Sequence, residues 1–412
     1  MNVGTGTAPT ALVMRSKAPI LTVVVGAILR HRLPLVAVWF AYCCWSAVSV
    51  GNDWIWFSWG SDLLFGQHHP APLFHTSAQA AGGLHVYANY IFLQMGPLSL
   101  LPAQVLRHLG PFDGLYAATA FIGLLGFGAY AALDRIAVRA RPGKTSSAKA
   151  TSLVAGLALA PCWGQVAGGY SHLDDAMALS LAVAAYVALR RDRSVLAGAL
   201  LGAAVASKTW AIPFLALCFV PAGYRRKLVS FAIAWAVTAV AWLPFLIADP
   251  HTTRLGDLGL IESLGSTLRV FGISHITHPG ALRMSQFVLG FALALLMVRR
   301  GHPEAVLLVG MASRLMLEPM TFTYYTGGLV FAAVAFDLLV WRRPLPIMTA
   351  ITWLYMLALS NYVTDPYDRA WLRLAATAGA VLVALGVALR ANARPQVAAV
   401  RDVEPRAVGA AA

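Results

Sequence analysis

Charge is what this sequence has least of. Only 12% of its 412 residues are Asp, Glu, Lys or Arg, and 17 are acidic. An ordinary soluble domain carries about twice that charged share, so a soluble globular fold is excluded, and a charged disordered chain even more firmly. Cysteine is scarce too: Cys43, Cys44, Cys162 and Cys218 lie inside apolar runs and show no CxxC spacing. That argues against a disulfide framework or a thiolate metal centre and leaves them as packing residues. No P-loop is present, which counts against an ATP-driven pump. His68, His69, His75 and His85 share one loop but lack any zinc-ligand spacing, so no metal is expected. No internal repeat stands out.

What the chain does have is apolar length. Hydrophobic residues make up 59% and the mean hydropathy is +0.68. A helix needs about 20 apolar residues to cross the hydrocarbon core, so the expectation is an all-α polytopic membrane protein with about 10–12 transmembrane helices. Spans fit near 33–50, 114–138, 151–169, 176–190, 195–207, 209–222, 228–247, 284–299, 303–317, 325–341, 345–361 and 370–389. Segments 195–207 and 209–222 are short and meet at "SKTW", with Lys208 at the apex. Pro97 and Pro102 break 84–110, which reads as a juxtamembrane segment. Residues 1–32 form a cytoplasmic or interfacial start, with 19–29 too short to span. Residues 33–390 form the transmembrane domain, and 391–412 a disordered cytoplasmic tail.

The net charge of +14 raises nucleic acid as a partner, but its distribution argues for a bilayer instead. Basic residues cluster at 15–32, 135–149, 190–193, 225–227, 299–300, 342–343 and 390–406, and these seven clusters hold 23 of the 31 Lys and Arg. By the positive-inside rule they lie in the cytoplasm, with both chain ends inside. The outer side then receives 11 of the 17 acids, among them Asp53, Asp62, Asp174, Asp175 and Glu318. Ionisable groups near membrane depth are costly and mark sites, so the outer face, with the 51–112 loop, is the working face.

Four features on that face carry chemistry. Asp53 stands directly after the first span in "GNDWIWFSWGSDLLFG"; it, or Asn52, can cap a helix over 53–65, or Asp53 can act as a general base at the membrane surface. Asp62, further along the same stretch, fits a solvated helix face as well as a substrate contact. In "GGYSHLDDAMALSL", His172, Asp174 and Asp175 stand at the mouth of a span, where the acids can cap the next helix or, with His172, orient sugar hydroxyls or hold a divalent cation. Lys208, isolated among apolar residues, either snorkels or meets a phosphate. Arg314 and Glu318 are four apart on one helix face, which suits an ion pair, a bidentate phosphate contact by Arg314, or both.

The order of these features resembles that of the GT-C glycosyltransferases, most closely the bacterial glycosyltransferase family 87 group with its polyprenol-phosphate-mannose-dependent mannosyltransferases. The carrying stretches are "NDWIWFSWGSDLLFG", "VYANYIFLQMGPLSLLPA", "HLDDAMALSLAVAAYVALRRDRSVLAGALLGAAVASKTWAIPFLAL" and "YYTGGLVFAAVAFDLLVWRR". They fall in order across roughly residues 33–345. Two positions depart from the family pattern, with Gly96-Pro97 for a double proline and Trp56-Phe57 for Val-Tyr after the acid.

The resemblance implies a GT-C-type bundle in a bacterial plasma membrane, with juxtamembrane helices in the first outer loop. It implies inverting transfer of mannose, or a pentose such as arabinose, from a polyprenyl-phosphate donor to a cell-envelope glycan or glycolipid on the outer face, without a cofactor. Asp53 maps onto the family's catalytic acid and Lys208 onto its phosphate-proximal lysine. Arg314 and Arg269 are then further phosphate contacts, and Asp62, His172, Asp174, Asp175, Tyr87 and Tyr324 substrate contacts. A secondary transporter or flippase of a lipid-linked sugar is the alternative, though its signature of midplane ions and inverted repeats does not match charges gathered at one face. A non-catalytic partner in an envelope-building complex is a third.

Overall fold

The computed structural model describes residues 20–50, 52–66, 82–257, 263–320 and 322–390, and among these every regular element is helical, with no strand. Helices α1 (Ile20–Arg30) and α2 (Arg32–Ser46) meet at an angle of 63° around His31. The segment after α2 then builds α3 (Trp54–Leu64), the single turn α4 (Val86–Asn89) and α5 (Pro97–Leu106). Pro97 occupies the first helical position of α5, where a missing N–H costs nothing, and Pro102 inside it keeps the element short. The juxtamembrane segment expected over 84–110 is thus two helices with a break between them.

The bundle follows with α6 (Pro111–Arg139), α7 (Thr145–Gly164) prolonged by a π turn to Gly169, α8 (Leu173–Arg190) and α9 (Ser194–Ser207). A 3₁₀ segment, Thr209–Phe219, leads to α10 (Tyr224–Ala248), α11 (Pro279–Arg299) and α12 (Val306–Met316). Next come α13 (Thr323–Phe336), continued by a π turn to Trp341, α14 (Ile347–Asn361) and α15 (Pro366–Arg390).

Each of the twelve spans read from the sequence has a helical counterpart. By length and apolarity, six helical stretches among the described residues suffice to cross a membrane, or seven if α1 and α2 form one broken span. That number is below the ten to twelve expected, for a physical reason. Helix α8 carries Asp174, Asp175 and Arg190 in 18 residues, while α9, α12 and α14 have 14, 11 and 15 residues. At 1.5 Å per residue, α9 rises only about 21 Å. It is steadied by α10: a Cβ on Gly198 or Gly202 would lie 2.3 Å from the carbonyl oxygen of Ser230 or Ala234, so the bare glycines let the two helices touch. The four cysteines are free and buried, as packing residues should be.

Long-range contacts sort the turns into two ends. At one, Asp53 reaches His172 and Gly96 N–H donates to Ser207 O at 2.9 Å. At the other, Arg141 Nη2 donates to Leu338 O, Thr151 Oγ1 donates to Arg343 O, and Arg226 faces Asp192. The second end collects the basic turns, and there Arg32 forms a buried two-point pair with Asp134 (2.9 and 2.7 Å). Residues 1–19, His68, His69, His75, Glu262 and the 391–412 tail lie outside the described residues.

Candidate active site

Asp53 stands at the cap position of α3, but the capping hydrogen bond comes from Asn52. Asn52 Oδ1 accepts from Trp54 N–H at 3.0 Å, and its Nδ2 donates to Gly168 O and Ser171 Oγ, both at 2.9 Å. One amide thereby caps the helix and staples the start of α3 onto the π turn of α7. Trp54 adds a second tie, from its indole N–H to Asp113 O at 2.7 Å. The end of α2 presses on the same π turn, where a Cβ on Gly168 would sit 2.3 Å from Cys44 O. With capping done by its neighbour, Asp53 makes no side-chain cap bond and is free for chemistry.

The residue it meets is His172. Ser171, immediately before it, adopts a left-handed conformation (φ 53°), a strained state that persists where the surroundings over-determine it. His172 N–H is bonded to Val166 O, and its ring stacks on Tyr324 with centroids 3.6 Å apart. Nε2 lies 3.0 Å from Asp53 Oδ2 and Nδ1 lies 3.4 Å from Asp174 Oδ1. Asp174 Oδ2 in turn accepts from Lys208 Nζ at 2.5 Å. The four side chains form a line of alternating charge: Asp53, His172, Asp174, Lys208. Only its first member is open, since the Asp53 side chain is 42% exposed against 1% for Asp174 and 13% for Lys208. Burial works against a charged His172 ring, but hydrogen bonds to Asp174 and Asp53 outweigh it and raise its pKa above the ordinary imidazole value.

Asp174 does part of the expected capping, since its Oδ1 accepts from the first-turn N–H of Asp175 at 2.8 Å, and adds the contacts above to it. His172 occupies the cap position of α8 without a side-chain cap bond. Asp175 Oδ1 accepts from Trp210 Nε1 at 2.7 Å. Trp210 and Tyr325 sandwich the guanidinium of Arg314, at 4.5 and 4.6 Å from their ring centres, an arrangement that stabilises a cation by the ring quadrupoles. Glu318 balances the charge: its Oε2 lies 3.7 Å from Arg314 Nε and 2.7 Å from Arg283 Nη1. The expected i,i+4 pair is therefore present but too long to be a hydrogen bond. Arg314 Nε and Nη1 are buried without any hydrogen-bond partner. A buried guanidinium with idle N–H groups is suited to an anion that takes two bonds at once.

The remaining candidates divide. Tyr87 is fully buried between Trp242 and Phe245 (5.1 and 5.0 Å). Its hydroxyl has no hydrogen-bond partner, and burial first, then the charge of Asp174, push its pKa up. Asp62 does not lie on a solvated face as its spacing suggested: it is buried in an ion pair with Arg107, which also donates to Ser58 O. Arg269 is half-buried on the 3₁₀ turn Thr267–Phe271, pinned by Thr267 and Ser266 to the carbonyls of Met316 and Glu318. The isolation attributed to Lys208 is also corrected, since Asp174 from 34 residues away neutralises it.

Trp210, Tyr325 and Arg283 escaped the sequence reading, and Asn52 entered it only as a candidate helix cap, which it is. Trp210 and Tyr325 were adjacent to chosen positions in "SKTW" and "YYTGG", yet an aromatic next to a charge carries no local signal of which ring faces which cation. Among the described residues no three or more His, Cys, Asp or Glu are arranged to hold a metal ion. No family model matches this chain, and no curated protein does either.

Proposed function

We propose that this chain is an inverting glycosyltransferase of GT-C type, moving mannose or a pentose such as arabinose from a polyprenyl-phosphate donor to a cell-envelope glycan or glycolipid. The observation that carries the reading is the line Asp53–His172–Asp174–Lys208, open at Asp53 and flanked by Arg314 with idle N–H groups. A base that reaches water beside a buried cation is what such a transfer needs, because a polar acceptor and a lipid-linked donor meet only at the membrane surface.

In the proposed reaction the acceptor hydroxyl oxygen attacks the anomeric carbon from the face opposite the lipid phosphate. The bond from anomeric carbon to phosphate oxygen breaks, and its electron pair leaves with the phosphate. Asp53 takes the hydroxyl proton. His172, held by Asp174, orients the Asp53 carboxylate. Arg314 meets the charge growing on the leaving phosphate, and Lys208 contributes the donors that Asp174 leaves over, since an ammonium has three. Asp175 holds Trp210, and Trp210 holds Arg314. The basic turns favour Asp53 facing away from the cytoplasm, and the resemblance to the GT-C enzymes implies a bacterial plasma membrane.

The test is transfer itself. Membranes containing the chain are incubated with a panel of radiolabelled polyprenyl-phosphate sugars. One donor is expected to yield labelled glycan or glycolipid in the native protein and not in Asp53→Asn. Absence of transfer from every donor, with the chain inserted and folded, overturns the proposal.

A further inference from the structure

The end of the bundle opposite Asp53 holds a concentration of cations for which the proposed reaction has no use. Arg141, just past α6, and Arg342 and Arg343, just past the π turn of α13, come from loops 200 residues apart in sequence but bound to each other. Arg141 Nη2 donates to Leu338 O at 2.6 Å, Arg342 Nε to Leu339 O at 2.8 Å, and Thr151 Oγ1 to Arg343 O and Pro344 O at 3.1 and 2.7 Å. Burial first, and the charge of Arg342 second, lower the pKa of Arg141. The two guanidiniums donate to the carbonyls of adjacent residues, Leu338 and Leu339, and so are held on the same turn, where like charges repel.

Among the described residues no ion pair joins Arg141, Arg342 or Arg343 to a carboxylate. No acid occurs between Asp134 and Asp174 or between Asp337 and Asp365. The carboxylates nearest these loops among the described residues are already engaged: Asp134 with Arg32, Asp337 with Met348 N–H, Thr349 N–H and the Thr349 hydroxyl, and Glu304, whose turn packs on the π turn, with the Tyr186 hydroxyl. Arg139 and Lys144, both exposed, add to the same field. Arg141 Nε is buried and has no hydrogen-bond partner. Arg342 is held in a left-handed conformation (φ 51°), which a side chain with a Cβ adopts only under constraint.

We propose that Arg141, Arg342 and Arg343 form a binding site for a phosphate group, distinct from the candidate active site and independent of its function. A phosphate takes two bonds from one guanidinium and bridges a second, so it relieves the repulsion and satisfies Arg141 Nε together. The surroundings favour a phosphate carried by an anionic lipid. Arg343 lies over the ring of Trp341 at 4.9 Å, a residue type that sits at headgroup level, and Leu345 beside them is 67% exposed, ready to meet an acyl chain. Basic pockets between transmembrane helices are suited to such headgroups.

The test uses the full chain in a neutral detergent, following tryptophan fluorescence during titration with short-chain phosphatidylglycerol, phosphatidylcholine and inorganic phosphate. Saturable binding of phosphatidylglycerol is expected, weakened about tenfold or more in the paired substitution Arg342→Gln with Arg343→Gln, as loss of a charge-assisted anion contact implies. The pair Arg225→Gln with Arg226→Gln removes equal charge from another exposed turn and is expected to leave binding unchanged. Saturation by inorganic phosphate at the same site, with the same loss in the 342/343 pair, supports the site and identifies the free ion as its ligand. Phosphatidylglycerol binding no tighter than phosphatidylcholine, or equal weakening by both charge pairs, overturns it. Should the 342/343 pair lose its helical circular dichroism, each single substitution carries the same test.

Discussion

His172 and Asp53, 119 residues apart, face each other at 3.0 Å, and on its other side the same ring faces Asp174 at 3.4 Å. A carboxylate at each nitrogen makes the doubly protonated ring the best-satisfied form. It also turns Asp53 from a helix-start acid into one held in a fixed orientation at the surface of the site.

Replacing Asp53 by Asn separates its two readings. Because Asn52 makes the capping bond, Asp53→Asn should insert and fold normally while transfer falls roughly 10² to 10⁴-fold, the loss usual for a general base. Asn52→Ala should do the reverse in part, costing about 1 kcal/mol of stability through the lost cap. A transfer rate near normal in a well-folded Asp53→Asn returns this acid to a structural role.

Asp62→Asn is expected to harm folding more than chemistry. It leaves the Arg107 charge buried, and breaking a buried pair costs roughly 3–5 kcal/mol. The double substitution Asp62→Asn with Arg107→Gln should recover much of that loss and transfer sugar near the native rate. Abolished transfer in a folded double variant would show that Asp62 is the working acid in this loop.

Lys208→Met strands Asp174 in the same way, so thermal unfolding should report a loss of similar size. Adding Asp174→Asn should restore the fold, whereas turnover stays down by on the order of 10²-fold. Full turnover in that double variant would mean that Lys208 only balances Asp174.

Arg314→Lys keeps the charge but loses the planar group between Trp210 and Tyr325 and the fork that meets a phosphate. Transfer should drop about 10²-fold with the fold intact. If Arg314 serves only Glu318, lysine should support a near-native rate.

His172 should make the proposed transfer sensitive to alkali. Its folded pKa lies above the ordinary 6.5, so the stability contributed by the charged ring is complete below about 6.5 and is lost as pH rises through the folded value. Transfer that depends on this ring should decline over the same window. Unfolding temperature and transfer rate, measured against pH in native protein and His172→Gln, check this; the variant should lack that alkaline limb. An unchanged limb assigns it to another group.

Orientation is checked by cysteine labelling, with a background kept low by the burial of all four native cysteines. Ser146→Cys, on the exposed basic turn, should be protected from an impermeant reagent added outside, and Leu84→Cys in the outer loop should react. The opposite pattern reverses the topology and the proposed reaction with it.

The sequence by itself determined where helices run and which turns share an end. Hydropathy and charge are local properties, summed along one segment at a time, so each expected span found its helix, and Asp53, His172, Lys208 and Arg314 could be assigned to one side. Partnership was decided only by the tertiary structure. Whether Asp53 or Asn52 caps α3, whether Lys208 is free or held by Asp174, and whether Asp62 is solvated or buried against Arg107 depend on side chains brought together from distant segments. A carboxylate beside a helix start looks the same in sequence whether it bonds its own backbone or a histidine 119 residues away. Packing chooses between them, because a buried charge must find a partner in three dimensions, and its position along the chain does not say which.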